Sequence, residues 1–143
     1  PTTALDVTIQ AQILRLIRSL VKQLGLTVLL ITHNLGVVAR TCERVAVMYS
    51  GRVIEESPVR ELFRNPKHPY TQGLIQAVPK KETGRGGLIG IPGMIPNLID
   101  PPQGCRFHPR CDHAMDICHQ QVPNTTIIGE EHSTSCFLHG EDA

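Results

Sequence analysis

Cys105, Cys111, Cys118 and Cys136 are the densest chemistry in this 143-residue chain, with five, six and seventeen residues between successive members. Thiols so placed can pair as disulfides in an oxidising compartment or bind soft and borderline metals as thiolates. Structural zinc usually takes its thiolates from C-x2–4-C knuckles, and no such pair occurs here. A four-iron (4Fe-4S) cluster is larger than one ion and can draw on more widely separated loops. His108, His113, His119 and His132 stand nearby, so a mixed Cys/His zinc (Zn) site stays open. Arg106 and Arg110 are close enough in sequence to offset the negative charge of a thiolate-bound cluster. Cys42 is separate, on the apolar face of an expected short helix, where a buried free thiol is the default.

A second group joins two distant stretches. "PTTALD" occupies 1–6 and "ITHN" occupies 31–34, so His33 stands 27 residues after Asp6. Between them Ile9, Ile13, Leu16, Ile17, Leu20, Val21 and Leu24 share one helical face, which predicts an amphipathic helix over 7–24. Asp6 or Thr8 can cap its start and Gly25 its end. Such a stripe needs a sheet to lie on. "LTVLLIT" (26–32) is a continuous apolar run without polar alternation, the pattern of a parallel strand covered on both faces. His33 would follow such a strand, where open α/β sheets deliver side chains into a ligand crevice.

Further along, Asn34 can cap a short helix that turns Val37, Val38 and Cys42 inward. "RVAVMYSGRVIEES" alternates around Ser50-Gly51 and reads as a hairpin. "PVRELFRNP" and "HPYTQGLIQAVP" each predict a short helix opening on proline. In the second, His68 and Tyr70 are packing or capping groups. The Gly/Pro-rich stretch 80–104 predicts an extended linker. Two parts follow: a piece of a larger α/β domain over 1–57, and an extension over 58–143 made of the HPY segment (58–79), the linker (80–104) and a small irregular Cys-rich lobe (105–136).

Composition narrows the classes. A net charge of +1 gives no case for nucleic-acid or polybasic membrane binding. The longest apolar run falls well short of the roughly 20 residues a spanning helix needs. With two Tyr, three Phe and no Trp, an aliphatic core is expected.

"PTTALD" with "LLITHN" resembles the ATP-binding subunits of ABC transporters: the first looks like the D-loop after the Walker B acids, the second like the strand ending in the switch histidine. "RVIEESPVRELFRNPKHPYTQGLIQAVP" and the cysteine spacing resemble the oligopeptide/dipeptide importers of that family. The resemblance implies an α/β nucleotide-binding domain with a parallel-strand core plus a hairpin. It implies that His33 donates to the γ-phosphate of ATP, while Ala4, Leu5 and Asp6 cross to a like ATPase subunit, identical or paralogous. It implies Mg and ATP in the intact protein, two transmembrane permease subunits, an indirect peptide-binding protein, and a peripheral place on the cytoplasmic face of the inner membrane. It also implies a 4Fe-4S cluster on Cys105, Cys111, Cys118 and Cys136, in a compartment unsuited to disulfides. That cluster reads first as a staple for a lobe too small to make its own core, and second as a redox or iron sensor.

The glycine-rich loop GxxxxGK[ST], the LSGGQ signature and the acidic pair that would precede Pro1 do not occur in the sequence. The expectation is therefore that these 143 residues alone neither bind ATP tightly nor hydrolyse it. The transported solute (dipeptide, oligopeptide or nickel) is not written in this chain. Two other readings compete: a UvrA-like repair ATPase, which would favour C-x-x-C pairs and a basic surface, and a non-catalytic metal-stapled interaction module.

Overall fold

The computed structural model describes residues 7–78, 90–94 and 96–140. The chain divides after Cys42 into two compact units.

The first unit holds two helices. α1 (Val7–Leu24) is the amphipathic helix expected from periodicity. It stops where Gly25 turns left-handed at φ 63° and the Leu26 N–H reaches back to the Val21 carbonyl at 3.2 Å, a glycine C-cap that satisfies an orphan carbonyl. α2 (Leu35–Thr41) starts where the Asn34 side chain accepts the Val37 N–H at 3.2 Å. Val38 on its inner face is buried.

Residues 26–32 correct the expectation of a parallel strand. They belong to no ladder, and Leu29 and Ile31 are 88% and 90% exposed. A parallel strand needs neighbours on both edges to take up its N–H and C=O groups, and no described segment pairs with this one. The α1 stripe is likewise uncovered: Ile9, Leu16, Leu20 and Leu24 stay exposed rather than forming core.

The second unit is built on an antiparallel sheet. β1 (Arg44–Tyr49) and β2 (Arg52–Pro58) form the expected hairpin. Ser50 and Gly51, at φ 47° and 78°, supply the two positive-φ residues of a tight turn whose twist suits the strands. α3 (Val59–Arg64) follows Pro58 directly. α4 (Pro69–Gln76) opens on Pro69 with His68 as its cap, while Pro79 lies outside the described residues.

The Cys-rich lobe is less irregular than expected. After a short 3-10 turn (His108–Arg110) and α5 (Asp116–Gln120), it contributes β3 (Thr126–Gly129) and β4 (His132–Thr134). β4 pairs with β2 through Glu55↔Thr134 and Glu56↔Ser133, giving the order β1-β2-β4-β3. A last 3-10 turn (Phe137–His139) follows Cys136.

The lobe therefore shares a core with the hairpin. Val47, Tyr49, Ile54, Leu62 and Phe107 are its buried centre, with Tyr70, Leu74 and Ile91 packed on it. The few aromatics are gathered here, correcting the all-aliphatic expectation. Tyr49 meets Tyr70 at 4.6 Å and Phe107 edge-on at 5.1 Å between ring centroids. Tilted and edge-on pairs add about 0.5–1.5 kcal/mol each beyond burial. Of the expected linker, residues 90–94 are irregular, bend at Gly93, and pack Ile91 against this core. Ile91 packs where any Cβ on Gly73 would collide at 2.8 Å. Arg110 holds the segment through the Ile91 and Pro92 carbonyls at 2.9 and 2.8 Å.

Candidate functional site

The four cysteines converge, although three loops and a helix carry them. Gly104 makes the first approach possible. Its φ is +68°, and a Cβ there would lie 2.4 Å from the Cys118 carbonyl oxygen. Lacking one, the chain draws in until the Cys105 N–H donates to that carbonyl at 2.9 Å. Cys111 closes the 3-10 turn, its N–H donating to the His108 carbonyl at 3.2 Å. Cys118 sits inside α5 and accepts the Met115 N–H at 3.5 Å. Cys136 caps the final turn. All four are free, and with His68, Phe107, His113 and Phe137 they line one void of about 10 Å³, room for about one water.

Burial favours the neutral form of three of these thiols. Burial pushes the Cys136 thiol up to about 11; the Leu138 N–H opposes this, while the other three thiols raise it further. Burial also raises Cys105, with the Phe107 and His108 N–H groups opposing and Cys118 reinforcing. Cys111 is raised by burial, Cys105, Cys118 and Asp112, against the His113 N–H. Thiolates here repel one another, and a bound cation would reverse that and release the protons. Among the described residues, no group of three or more His, Cys, Asp or Glu is set closely enough to close on a single ion. The thiols ring a space instead. Cys42 belongs to the first unit and is a half-buried free thiol raised by burial.

The nearby cations and imidazoles are largely committed elsewhere. The Arg106 guanidinium donates to the Ser50 carbonyl in the hairpin turn. Arg110 spends its donors on the Ile91 and Pro92 carbonyls and, at 3.4 Å, on the Tyr49 hydroxyl. Both are therefore tethers, and the charge-offset role expected of them has only proximity in its favour. His108 Nδ1 pairs with the Cys105 carbonyl at 2.8 Å, and His132 is taken by Glu55.

Glu55 is the residue the sequence reading missed. It is 1% exposed and accepts the Lys67 N–H at 2.7 Å, the His68 N–H at 2.9 Å and His132 Nε2 at 2.8 Å. One carboxylate thus ties the hairpin to the HPY loop and to β4. Strict alternation with buried Ile54 would turn Glu55 outward. A bulge intervenes: Val47 pairs with Glu55 but Met48 with Val53, leaving Ile54 as the extra residue, and a bulge re-aims side chains. Two adjacent glutamates on a strand were the only available signal.

His68 is a cap, as expected: its Nδ1 accepts the Tyr70 N–H at 3.0 Å. It is 1% exposed, and burial lowers its pKa to about 4, with Glu55 opposing and His139 assisting. The ring is therefore neutral at pH 7.

His33 is exposed, between the 26–32 run and α2. Ala4, Leu5 and Asp6 lie outside the described residues, so their relation to His33 is an expectation only. Among the described residues no helix is long and apolar enough to cross a membrane.

Comparison with known proteins places this arrangement. Residues 54–118 match the family described as the oligopeptide/dipeptide transporter, C-terminal region. The chain is 45% identical over its whole length to the dipeptide transport ATP-binding protein DppD of Bacillus subtilis, covering 43% of that protein. It is 49% identical over 86% of its length to the oligopeptide transport ATP-binding protein OppD of Salmonella typhimurium, covering 37% of it. A Brucella ovis protein named for peptide import and ATP binding is 51% identical over 96% of the chain, which covers 42% of it. The chain thus spans about two fifths of the length of these relatives, and the matches favour the importer reading over the DNA-repair one. The matched part of the chain, residues 54–118, is similar to the C-terminal region of that transporter family.

Proposed function

We propose that this chain is part of the ATP-binding subunit that energises ABC import of dipeptides or oligopeptides. The observation that carries this is the 45% identity to a dipeptide transport ATP-binding protein across the whole chain. In this reading the intact protein binds ATP and Mg and pairs with a like subunit. It docks peripherally on two permease subunits at the cytoplasmic face of the membrane, with a peptide-binding protein on the far side.

His33 then holds a hydrogen bond to the γ-phosphate or the attacking water, while Ala4, Leu5 and Asp6 reach the partner's nucleotide. An exposed imidazole beyond an apolar segment is compatible with that role. One preorganised donor aimed at developing charge is worth roughly a hundredfold in rate or more. The test is ATP turnover by the full-length protein. His33→Ala should lower kcat by about that factor with ATP affinity retained. An unchanged kcat would overturn the assignment.

Cys105, Cys111, Cys118 and Cys136 hold a 4Fe-4S cluster in this reading. What supports it is that four free thiols line one void and a backbone N–H faces each. The void is water-sized, so a cluster enters only if the thiols turn outward to another staggered χ1 well. When bound, such a cluster supplies a four-way cross-link and one-electron redox capacity. The Gly104 approach fixes Cys105 against Cys118. Iron and sulfide content separates this from zinc: about four of each per chain supports the cluster, and one zinc with neither overturns it.

A further inference from the structure

A second cavity, of about 280 Å³, opens beside the hairpin turn. That is close to the lower end of the roughly 300–1,000 Å³ of small-molecule sites. Three kinds of wall meet in it. The first is apolar: Ile54 and Phe107 are buried, while Val53 and Val122 are 47% and 44% exposed. The second is cationic, from Arg52 and Arg106. Arg52 stands opposite Tyr49 in the β1–β2 ladder, and residues directly opposite share a face of the sheet. On that face Tyr49 meets Phe107. Arg106 donates to the Ser50 carbonyl, and its Nη1 lies 3.5 Å from where a Cβ on Gly51 would be. Its guanidinium is thus anchored at the turn that Tyr49 and Arg52 flank, and both of those line the cavity. One such bond leaves most of a guanidinium's N–H donors available. No Asp or Glu lines the cavity, and among the described residues neither arginine has a carboxylate partner. The third wall is a hydroxyl pair, Thr125 and Ser135, bonded to each other at 3.0 Å. That bond uses one O–H, so the pair keeps a second donor and spare lone pairs.

We propose that this cavity binds the carboxyl-terminal apolar residue of a short peptide. The two guanidinia take the carboxylate through charge-assisted hydrogen bonds, for which Arg is the best-suited side chain. The apolar wall takes the aliphatic side chain, which in turn removes the exposed surface of Val53 and Val122 from water. The hydroxyl pair serves the last peptide amide. An ammonium on the ligand finds only like charge in the lining, so the peptide's amino end points to solvent. The site stands on its own geometry and does not depend on the importer reading. Under that reading, imported peptides are ligands of this class.

The experiment titrates full-length protein carrying labelled Ile and Val methyl groups and follows the Val53, Ile54 and Val122 signals by NMR. The probe is N-acetyl-leucine, which has the carboxylate, the amide and the apolar side chain. It should shift those signals saturably at millimolar concentration or below. N-acetyl-leucinamide has the same body without the charge and should bind about tenfold more weakly. Arg52→Ala changes an exposed residue of the strand. It should weaken the acid about tenfold and leave the amide unchanged, a difference that a merely structural role for Arg52 would not produce. Absence of shifts at these methyls, or equal binding of acid and amide by the wild type, overturns the site; both readings need no variant to fold. Hexanoate binding as tightly as N-acetyl-leucine overturns the assignment to a peptide end, since it lacks the amide. None of these readouts involves ATP turnover, so the site and the importer reading fail separately.

Discussion

Residues 26–32 and strand β1 are chemically alike, both short and largely apolar runs, yet they end in different states. β1 finds its partner across a two-residue turn, and its Val47 and Tyr49 are 7% and 5% exposed. Residues 26–32 find none, and Leu29 and Ile31 stay 88% and 90% exposed. Apolar content and β-branching make a strand possible; the hydrogen-bonding edge decides it. The edge for β1 is local, costing little loop entropy. A parallel strand's edge comes from a distant segment. The second unit supplies its own partners, whereas the first exposes the surface that would need them.

The sharpest way to break the comparison is a pair of glycines, one in each unit, with nearly the same backbone. Gly25 and Gly104 have φ of +63° and +68°. A Cβ at Gly25 meets nothing within 4 Å, while one at Gly104 lies 2.4 Å from the Cys118 carbonyl. Gly104→Ala should cost about 4 kcal/mol or more, through left-handed strain plus loss of the Cys105–Cys118 backbone bond. In the cluster reading proposed above, it should also abolish iron loading. Gly25→Ala should cost only the strain, about 1 kcal/mol. Denaturant titration of both variants checks the ratio, and equal costs would mean that the two units are equally tolerant.

Next in size is Glu55→Gln. The amide can accept for one of the Lys67 and His68 N–H groups but turns a donor toward the other, and it weakens the bond to His132. The expected loss is about 3 kcal/mol, read as a lower denaturation midpoint with unchanged slope. These residues also show what local reading reaches. Helix α4 was legible because Pro69 and its apolar spacing are local signals, and the hairpin because Ser50-Gly51 lies between its strands. The β2–β4 pairing was not. It joins Glu55 to Thr134 across 79 positions, and nothing in "TIIGEEHST" names its partner. Glu55 was hidden by the bulge at Ile54. The four cysteines stood out by their spacing, but that one void gathers them, and that His68 shares it, required the fold.

A smaller effect is pH dependence confined to the second unit. Burial holds the His68 pKa at about 4 against an ordinary 6.5, with Glu55 and His139 the charged or titratable groups facing it. The unfolded chain takes up a proton at higher pH than the folded one. Stability from the neutral ring is therefore complete above pH 6.5 and is lost as pH falls toward 4. The loss is at most about 3 kcal/mol at the full shift. Metal-free protein unfolded at pH 7 and at pH 4.5 should show it, and His68→Asn should flatten that part of the profile. A wild-type profile already flat between those values would mean that the ring is not buried neutral.

The smallest effect returns to the two apolar runs. Leu29 is 88% exposed, so Leu29→Lys in this chain removes no packing and should move stability by less than about 0.5 kcal/mol. In the longer ATP-binding subunit proposed above, the same residue would lie in a strand covered on both faces. Burying an unpaired ammonium there should cost several kcal/mol or prevent folding. Denaturation of the two proteins, side by side, measures what the distant strands add to residues 26–32. If Leu29→Lys were equally harmless in both, the run would be a surface segment in either setting. His33 would then not stand at the end of a sheet strand, and its proposed place beside the γ-phosphate would lose its support.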